Sequence, residues 1–303
     1  MDVDWNDIKL FLAIADHGSL TEAARHLRLG QPTVSRRLAD LEERLGYPLF
    51  DRSVEGASLT SRGETWLTPA RHMAEWAGEL LNTAERADSA PSGLVRITAP
   101  PGVAFDFVAP FAARLRERYP QIRVQVLARV EYVDLSRREA DIALRMRAPT
   151  SRDLEVVHRY VHLNDAFVCK SYAAKLPKQA SLAEIDFVAW APPFEDFPPN
   201  PQLAALIPGF KPSFASDDFL VQRRAAEAGL GALFMHKAKH RYNAESVLTP
   251  LGLELGPHRT STLHVVCAKS ALRVSRIAAV AELLKEELIH SEQLSEAAFG
   301  PAE

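Results

Sequence analysis

A chain of 303 residues, 47% hydrophobic and 25% charged, has the makeup of an ordinary globular protein of two or three domains. No run approaches the ~20 apolar residues of a membrane helix. The opening Met1-Asp2-Val3-Asp4-Trp5 is acidic and lacks an apolar signal core, so a cytoplasmic location and no membrane partner are expected. Net charge is −3, and residues 1–90 hold 10 Lys and Arg against 15 Asp and Glu. That balance excludes a protein that coats nucleic acid by bulk charge, and leaves only a local basic patch as a route to DNA. Arg25, Arg28, Arg36 and Arg37 form such a patch, with no acid between them.

The periodicity predicts a helix from about Trp5 to His17, with Ile8, Phe11, Leu12 and Ala15 on one face and Gly18 ending it. Ser19 and Glu22 have the spacing of a capping box for a second helix, whose apolar face is Leu20, Ala23, Ala24 and Leu27. Arg28-Leu29-Gly30 makes a turn. A third helix is expected from about Gln31 to Leu45, with Pro32 in its first turn, where a missing N–H costs nothing. Val34, Leu38, Leu41 and Leu45 face inward. Arg36 points the other way, near Pro32 and Thr33, while Asp40, Glu42 and Glu43 lie in the second half. A recognition helix reads base edges with its N-terminal residues, so this gradient has the right direction. A solvated face on an ordinary three-helix bundle fits the same pattern. Leu49–Arg52 and Ala57–Thr60 around Glu55-Gly56 read as a hairpin, a wing whose Arg52 is placed for phosphate or the minor groove.

Ser61 and Glu64 repeat the capping-box spacing, and a long helix to about Ala87 follows. Trp66, Ala70, Met73, Ala77, Leu80, Ala84 and Ala87 keep a 3.5-residue repeat, the mark of pairing with a second helix. Packing on its own domain is the other reading. Asp88 to Gly93 is a composition break and the expected hinge.

Beyond it, the strand Leu94–Thr98, a helix from about Gly102 to Tyr119 and the strand Val124–Leu127 form a βαβ unit, which implies a parallel sheet. Further strands are expected at Ala140–Arg145 and near Asp165–Lys170, Phe187–Trp190, Pro212–Ala215, Ala232–Met235 and Thr262–Ala268. A last helix runs from about Ser275 to Leu288, ahead of a polar tail. In open α/β sheets ligands sit beyond the carboxyl ends of strands, here Thr98-Ala99-Pro100, Arg145 and Ser216. Thr98 and Ser216 also suit helix caps, and Arg145 a lobe-linking role. Asp217 and Asp218 beside Ser216 act either as caps or against an anionic ligand. Pro192–Pro201, with Phe194 and Phe197, reads as a loop at the mouth of a cleft.

No Gly-x-Ser-x-Gly, phosphate loop or His-Glu-x-x-His is present, and Gly229-Leu230-Gly231 follows a helix rather than a strand, so no enzyme or cofactor signature emerges. Cys169 and Cys267 belong to no Cys-x-x-Cys pair and have no clustered histidines, which gives no metal site. Both suit buried small residues, though apolar strand-like runs in the same half of the chain leave room for a redox pair. A solute-binding protein, or an enzyme domain carrying a helix-turn-helix, is the alternative to a regulator. An architectural DNA binder would need a basic N-terminal half.

The segments Ser19–Ala24, Gln31–Arg36, Leu41-Glu42, Leu45-Gly46, Leu49–Arg52 and Leu59–Gly63, in order and correctly spaced, resemble the LysR-type transcriptional regulator family. Gly30 departs from the serine common at that turn. Thr98-Ala99-Pro100, Arg118-Tyr119-Pro120, Ala140–Arg145 and Ala228–Gly231 extend the resemblance over the second half. Met235-His236 stands where the family more often has Leu-Pro, which marks His236 as a ligand contact or an ordinary strand-end histidine.

The resemblance implies an α+β multidomain protein. Its parts are a winged helix-turn-helix (1–60), a linker and dimerisation helix with hinge (61–90), and a two-lobed α/β effector domain like a periplasmic binding protein (91–303). Lobe I is about 91–161 and 269–303, and lobe II about 162–268, with crossovers near Val161 and Lys269. The expected function is a sequence-specific regulator of transcription controlled by a small-molecule effector between the lobes. Candidate DNA contacts are Gln31, Pro32, Thr33, Ser35, Arg36 and Arg37, with Arg28 and Arg52. Candidate effector contacts are Thr98, Ala99, Pro100, Gly102, Arg145, Ser216 and His236. The implied partners are double-stranded DNA, an effector, a second copy through the linker helix, a homotetramer as the larger assembly, and RNA polymerase.

Overall fold

The computed structural model describes residues 3–53, 56–85, 90–131, 135, 139–178, 180–243 and 245–302, with residues 75 and 79–85 by backbone alone. The chain divides into two compact units, Met1–Ser89 and Ala90–Glu303.

The first unit begins with α1 (Trp5–His17), α2 (Leu20–Leu27) and α3 (Gln31–Leu45). Asp4 caps α1 by accepting from the N–H groups of Asn6 and Asp7 at 2.7 and 2.9 Å, while Asp7 accepts from the Asp4 N–H at 3.1 Å. Gly18 and Gly46, both left-handed, close α1 and α3. Phe11, Ile14, Val34, Leu38, Leu41 and Leu49 are fully buried between the helices, each contributing about 1.5–3 kcal/mol of transfer free energy. The hairpin is β1 (Phe50–Ser53) against β2 (Gly56–Leu59).

Two caps differ from expectation. Ser19 accepts from Thr21 N–H, but Glu22 turns away to pair with Arg25, so no reciprocal box forms. The long helix α4 (Ser61–Glu85) is capped one residue early, by Thr60: its Oγ1 accepts from Gly63 N–H at 3.0 Å and donates to the Pro48 carbonyl at 2.9 Å. A Cβ on Gly63 would lie 2.1 Å from the Leu49 carbonyl oxygen, so only glycine lets α4 start this close to the wing.

The heptad splits along α4. Ala70 is 2% exposed, and Trp66 lies edge-on to Phe11 at 5.8 Å with its Nε1 donating to Tyr47 at 3.2 Å. These first two positions therefore pack on their own unit. Met73 is 47% exposed. The side chains of Leu80 and Ala84, and Ala87 as a whole, lie outside the described residues.

The second unit is built on one mixed sheet. In chain order its elements are β3 (Gly93–Ala99), α5 (Pro101–Val103), a π-helical turn (Ala104–Val108), α6 (Ala109–Arg118), β4 (Ile122–Ala128) and β5 (Ile142–Arg145). Then come β6 (Leu154–Cys169), α7 (Lys170–Ala173), β7 (Phe187–Trp190), α8 (Asn200–Leu206), β8 (Phe214–Ser216) and α9 (Phe219–Glu227). Last are β9 (Ala232–Lys237), β10 (Leu248–Pro250), β11 (Thr260–Ala268) and α10 (Ser275–Phe299). The sheet order is β4-β3-β5-β11-β6-β9-β7-β8, with β10 on β6.

The single helix expected over 102–119 is interrupted by the π-helical turn. The strand expected near Asp165–Lys170 is only the end of β6, a 16-residue strand running without a break through Val161. It is shared by both halves of the sheet: its first part pairs with β11 and its second with β9. The second crossover was expected near Lys269, but all of β11 lies before that residue and already pairs with β5, His264 opposite Arg145 and Cys267 opposite Ile142. The chain returns to the first half of the sheet where β11 begins, so the boundaries assumed for lobe II at that end are too late. The strand expected at Pro212–Ala215 is formed by Phe214–Ser216.

The same register excludes a bond between the cysteines. Cys267 stands opposite Glu155, near the start of β6, and Cys169 is its last residue. At ~3.3 Å rise per residue they are on the order of 45 Å apart, where a disulfide needs Cα atoms within roughly 7 Å. Both are free and buried. Burial, with Asp141 and Glu155 adding, pushes the Cys267 thiol up to about 12.

Candidate nucleic-acid interface and small-molecule recess

In the first unit the basic residues sort by partner. Arg25 pairs with Glu22, Arg44 with Asp7 at 2.8 Å, and Arg71 with Asp16 at 3.0 Å. Among the described residues no ion pair engages Arg28, Arg36 or Arg37, and all three are exposed. Arg37 adds a small attraction to Asp4, whose carboxyl is lowered first by the Asp7 N–H. Gln31 and Pro32 are exposed, and Thr33 and Ser35 half-buried, on the same first turns of α3. Gly30 caps α3 without a side chain; its carbonyl takes Thr33 and Val34 N–H at 3.0 and 3.1 Å. An acidic unit thus keeps unpaired cations where α2 ends and α3 begins.

Arg52 has partners within its own unit. It donates to Ser35 Oγ at 3.3 Å and pairs with Glu42 at 3.4 Å. Glu42, read from the sequence only as an acid of the second half of α3, also accepts Leu49 and Phe50 N–H at 2.7 and 3.1 Å. One carboxylate therefore holds both the entry to the wing and the wing arginine, so Arg52 positions the wing against α3.

In the second unit the seven small-molecule candidates separate. Thr98, Ala99, Pro100 and Arg145 line one recess with Arg129 and Glu131, about 220 Å³ with its open mouth included. Thr98 is 6% exposed and donates to the Leu127 carbonyl at 3.1 Å, so its hydroxyl is engaged but keeps its acceptor side. It is not a helix cap: Pro100 stands at that position.

Gly102, Ser216 and His236 do not line that recess. A Cβ on Gly102 would meet the Phe219 ring at 2.9 Å, so this glycine admits α9 against the start of α5. Ser216 accepts from Asp218 N–H at 3.1 Å, and Asp218 caps α9 through Leu220 and Val221 N–H at 2.7 and 3.1 Å. The caps are local, and Asp218 is used by them. His236 is in β9, opposite Asn164, and lines a different cavity with His162 and His240. The Phe194–Phe197 loop folds onto β7: Trp190 Nε1 donates to the Pro198 carbonyl at 2.8 Å, and the Asn200 amide bonds both backbone groups of Trp190 at 3.0 Å.

Two motifs carried by the resemblance are structural. Asp141 accepts from Arg96 N–H at 2.7 Å and fixes β5 to β3. Gly231 has φ +159 and would place a Cβ 2.5 Å from the Asp186 carbonyl oxygen, which Ala232 N–H meets at 2.7 Å.

Each unit matches a known family of domains. Residues 5–64 match the bacterial regulatory helix-turn-helix proteins of the lysR family, and residues 88–289 the LysR substrate binding domain. The chain is 30% identical over 258 residues to the small neutral protease regulatory protein of Streptomyces coelicolor, covering 82% of this chain and 76% of that one. It is 26% identical over 185 residues to the regulator CrgA of Neisseria meningitidis, covering 61% of this chain and 62% of that one. Several of the curated relatives are matched over only about half their length, 43% for a regulator from Xanthomonas campestris and 55% for PtxR of Pseudomonas aeruginosa. The fold is shared with solved CrgA (TM-score 0.55, 23% identity, 95% of this chain and 99% of that one). It is also shared with a full-length OxyR variant from Pseudomonas aeruginosa (TM-score 0.63, 17% identity, 95% of each chain). The chain belongs to the LysR family of bacterial regulatory helix-turn-helix proteins.

Proposed function

We propose that this chain is a transcriptional regulator that reads a specific DNA sequence with the exposed start of α3 and answers to a small molecule bound in its second unit. The observation that carries the DNA reading is the sorting of charge: Arg25, Arg44, Arg52 and Arg71 have acidic partners and Lys9 and Arg62 lie over the Trp5 and Tyr47 rings, while among the described residues Arg28, Arg36 and Arg37 have neither. A net-negative unit that leaves three cations unpaired around one helix N-terminus is built for a local anionic surface rather than for bulk attraction. Full-length CbnR, a protein of the same fold at 17% identity and TM-score 0.61, has been solved with its target DNA. Pairing of α4 with a second copy gives two recognition helices for two half-sites, which offsets the weakness of one small patch.

The small-molecule reading rests on the recess at the ends of β3 and β5, where Thr98, Ala99, Pro100 and Arg145 converge. Such a protein acts in the cytoplasm, as a regulator rather than an enzyme. Among the described residues no helix is long and apolar enough to cross a membrane.

Selection of bound sequences from a random duplex pool by the full chain tests the DNA reading, and recovery of no preferred sequence refutes it. A thermal-shift screen of small metabolites tests the second. A hit whose dissociation constant does not rise about tenfold in Thr98→Ala, the loss expected for one buried hydrogen bond, places the site elsewhere.

A further inference from the structure

A second cavity lies away from the Thr98 recess, at the level where β6, β9, the π-helical turn and α10 meet. Three imidazoles make most of its polar wall, beside the Asp106 carboxylate and a Ser291 hydroxyl that donates to the Glu287 carbonyl. His162 on β6 and His236 on β9 approach at 5.1 Å between ring centres, and His240 stands edge-on to Phe107 at 5.5 Å. His162 is 3% exposed, and neither of its ring nitrogens has a hydrogen-bond partner; the Tyr160 backbone only weakly favours its protonated form. The Nδ1 atom of His240 is also without a partner. Orphaned buried nitrogens are costly to a fold, so a group that satisfies them is stabilising.

The chemistry of the walls defines that group. Burial pushes His162 down to about 3 and His240 to about 4. His236, partly open on the cavity side, is surrounded by enough protein that desolvation lowers it too. The imidazoles are neutral at pH 7, each with one N–H and one lone pair, and a hydroxyl both donates and accepts. Among the described residues no lysine or arginine lines the cavity. Its one acid, Asp106, is held by Arg223 at 2.8 Å, which leaves no cation for a carboxylate ligand. Val103, Phe107, Met146, Tyr160, Leu263 and Leu288 supply an apolar, partly aromatic surround. The space is about 410 Å³ with its open mouth counted, so an occupant is small.

We propose that this cavity is a second binding site, for a compact neutral aromatic molecule bearing a hydroxyl, held by His162 and His236 against Phe107. Its walls come from the α5–α6 run on one side and from β9 and the segment after it on the other, so an occupant touches both halves of the sheet.

Phenol is the probe, with toluene and benzoate as isosteres lacking the hydroxyl or adding a charge, titrated into the full chain at pH 7. Phenol should bind at least about tenfold more tightly than either, the discrimination expected from one buried hydrogen bond. It should also move the histidine ring ¹⁵N resonances of His162 and His236. His162→Phe, which keeps the ring and removes both nitrogens, should cost phenol about tenfold and leave toluene within about twofold. Equal binding of phenol and toluene, unmoved ring nitrogens, or no phenol binding at all would each overturn the proposal, the last meaning that the cavity holds solvent only. The ring-nitrogen readout uses the unmodified protein, so it decides even if the variant fails to fold. None of these readouts involves DNA, so the result stands apart from the function proposed above.

Discussion

Arg223 Nη1 donates to Asp106 Oδ1 at 2.8 Å, joining α9 to the π-helical turn that follows β3. The same guanidinium lies 5.3 Å over the Phe105 ring and pairs with Glu227 at 3.2 Å. Gly102 lets Phe219 seat against α5 on this same junction. The two halves of the sheet are therefore tied by side chains as well as by the continuous β6. Because both ionic groups are partly exposed, at 17% and 37% of their side-chain areas, the pair is worth little more than a surface bridge. A double-mutant cycle with Arg223→Ala and Asp106→Ala in urea unfolding of the full chain should show a coupling of about 0.5–1 kcal/mol. A coupling indistinguishable from zero would mean that apolar packing alone joins the halves.

Arg36→Ala should weaken specific DNA binding by about 1–3 kcal/mol if the side chain pairs with a base edge. Helix content should not change, because Arg36 is exposed and outside the core of Val34, Leu38 and Leu41. Equal losses on specific and random DNA would reduce it to a phosphate contact. Arg52→Ala should act differently: it frees Glu42 and loosens the wing, so a drop of about 0.5–1 kcal/mol in unfolding free energy should accompany any DNA effect.

Ala77→Glu tests pairing through α4. Trp66 and Ala70 are already covered by their own unit, so the free part of the heptad starts at Met73 and Ala77. A carboxylate in each copy of that seam should shift sedimentation from dimer towards monomer. An unchanged dimer would move the interface off α4.

The buried histidines predict an acid-labile second unit. His162 binds a proton near 6.5 when unfolded and only near 3 when folded. Between those values the unfolded chain holds more protons, so stability rises with pH and is lost as pH falls from about 6.5 towards 3, by at most ~1.4 kcal/mol per pH unit for each such group. His236 and His240 act in the same sense, while Asp106 attracts protons to both. The cleft on which His162 also borders carries Arg159, Lys237 and Glu292. His162→Phe should flatten the pH dependence of urea unfolding in that window. A slope as steep as in the unmodified protein would show that other groups control the acid transition.

Helix boundaries in the first unit were legible because their causes are local. Apolar residues three and four apart fix the inward face of α1 to α3, and Gly18 supplies the left-handed stop of α1. The strands β3, β4 and β7 were equally plain as short apolar or β-branched runs between turns. Capping was less so. Ser61 and Glu64 have the right spacing, yet Thr60 wins because its hydroxyl also bonds the Pro48 carbonyl, a contact between segments that a spacing rule does not see.

The family resemblance, the order of most strands and helices and the basic start of α3 were all readable along the chain. These follow from short-range periodicity, turn chemistry and motif order. Tertiary structure alone decided which charges stay free, because Glu42 reaches Arg52 and Asp7 reaches Arg44 only when α3 packs on its neighbours. It alone made β6 one strand, since Leu154–His162 carries Glu155, His158 and Arg159 and shows no clear strand pattern until β11 pairs with it. It also divided the small-molecule candidates. Thr98 and Arg145 meet because β3 and β5 are neighbours in the sheet, whereas His236 is carried by β9 to His162, a pairing set by long-range register that no local pattern encodes.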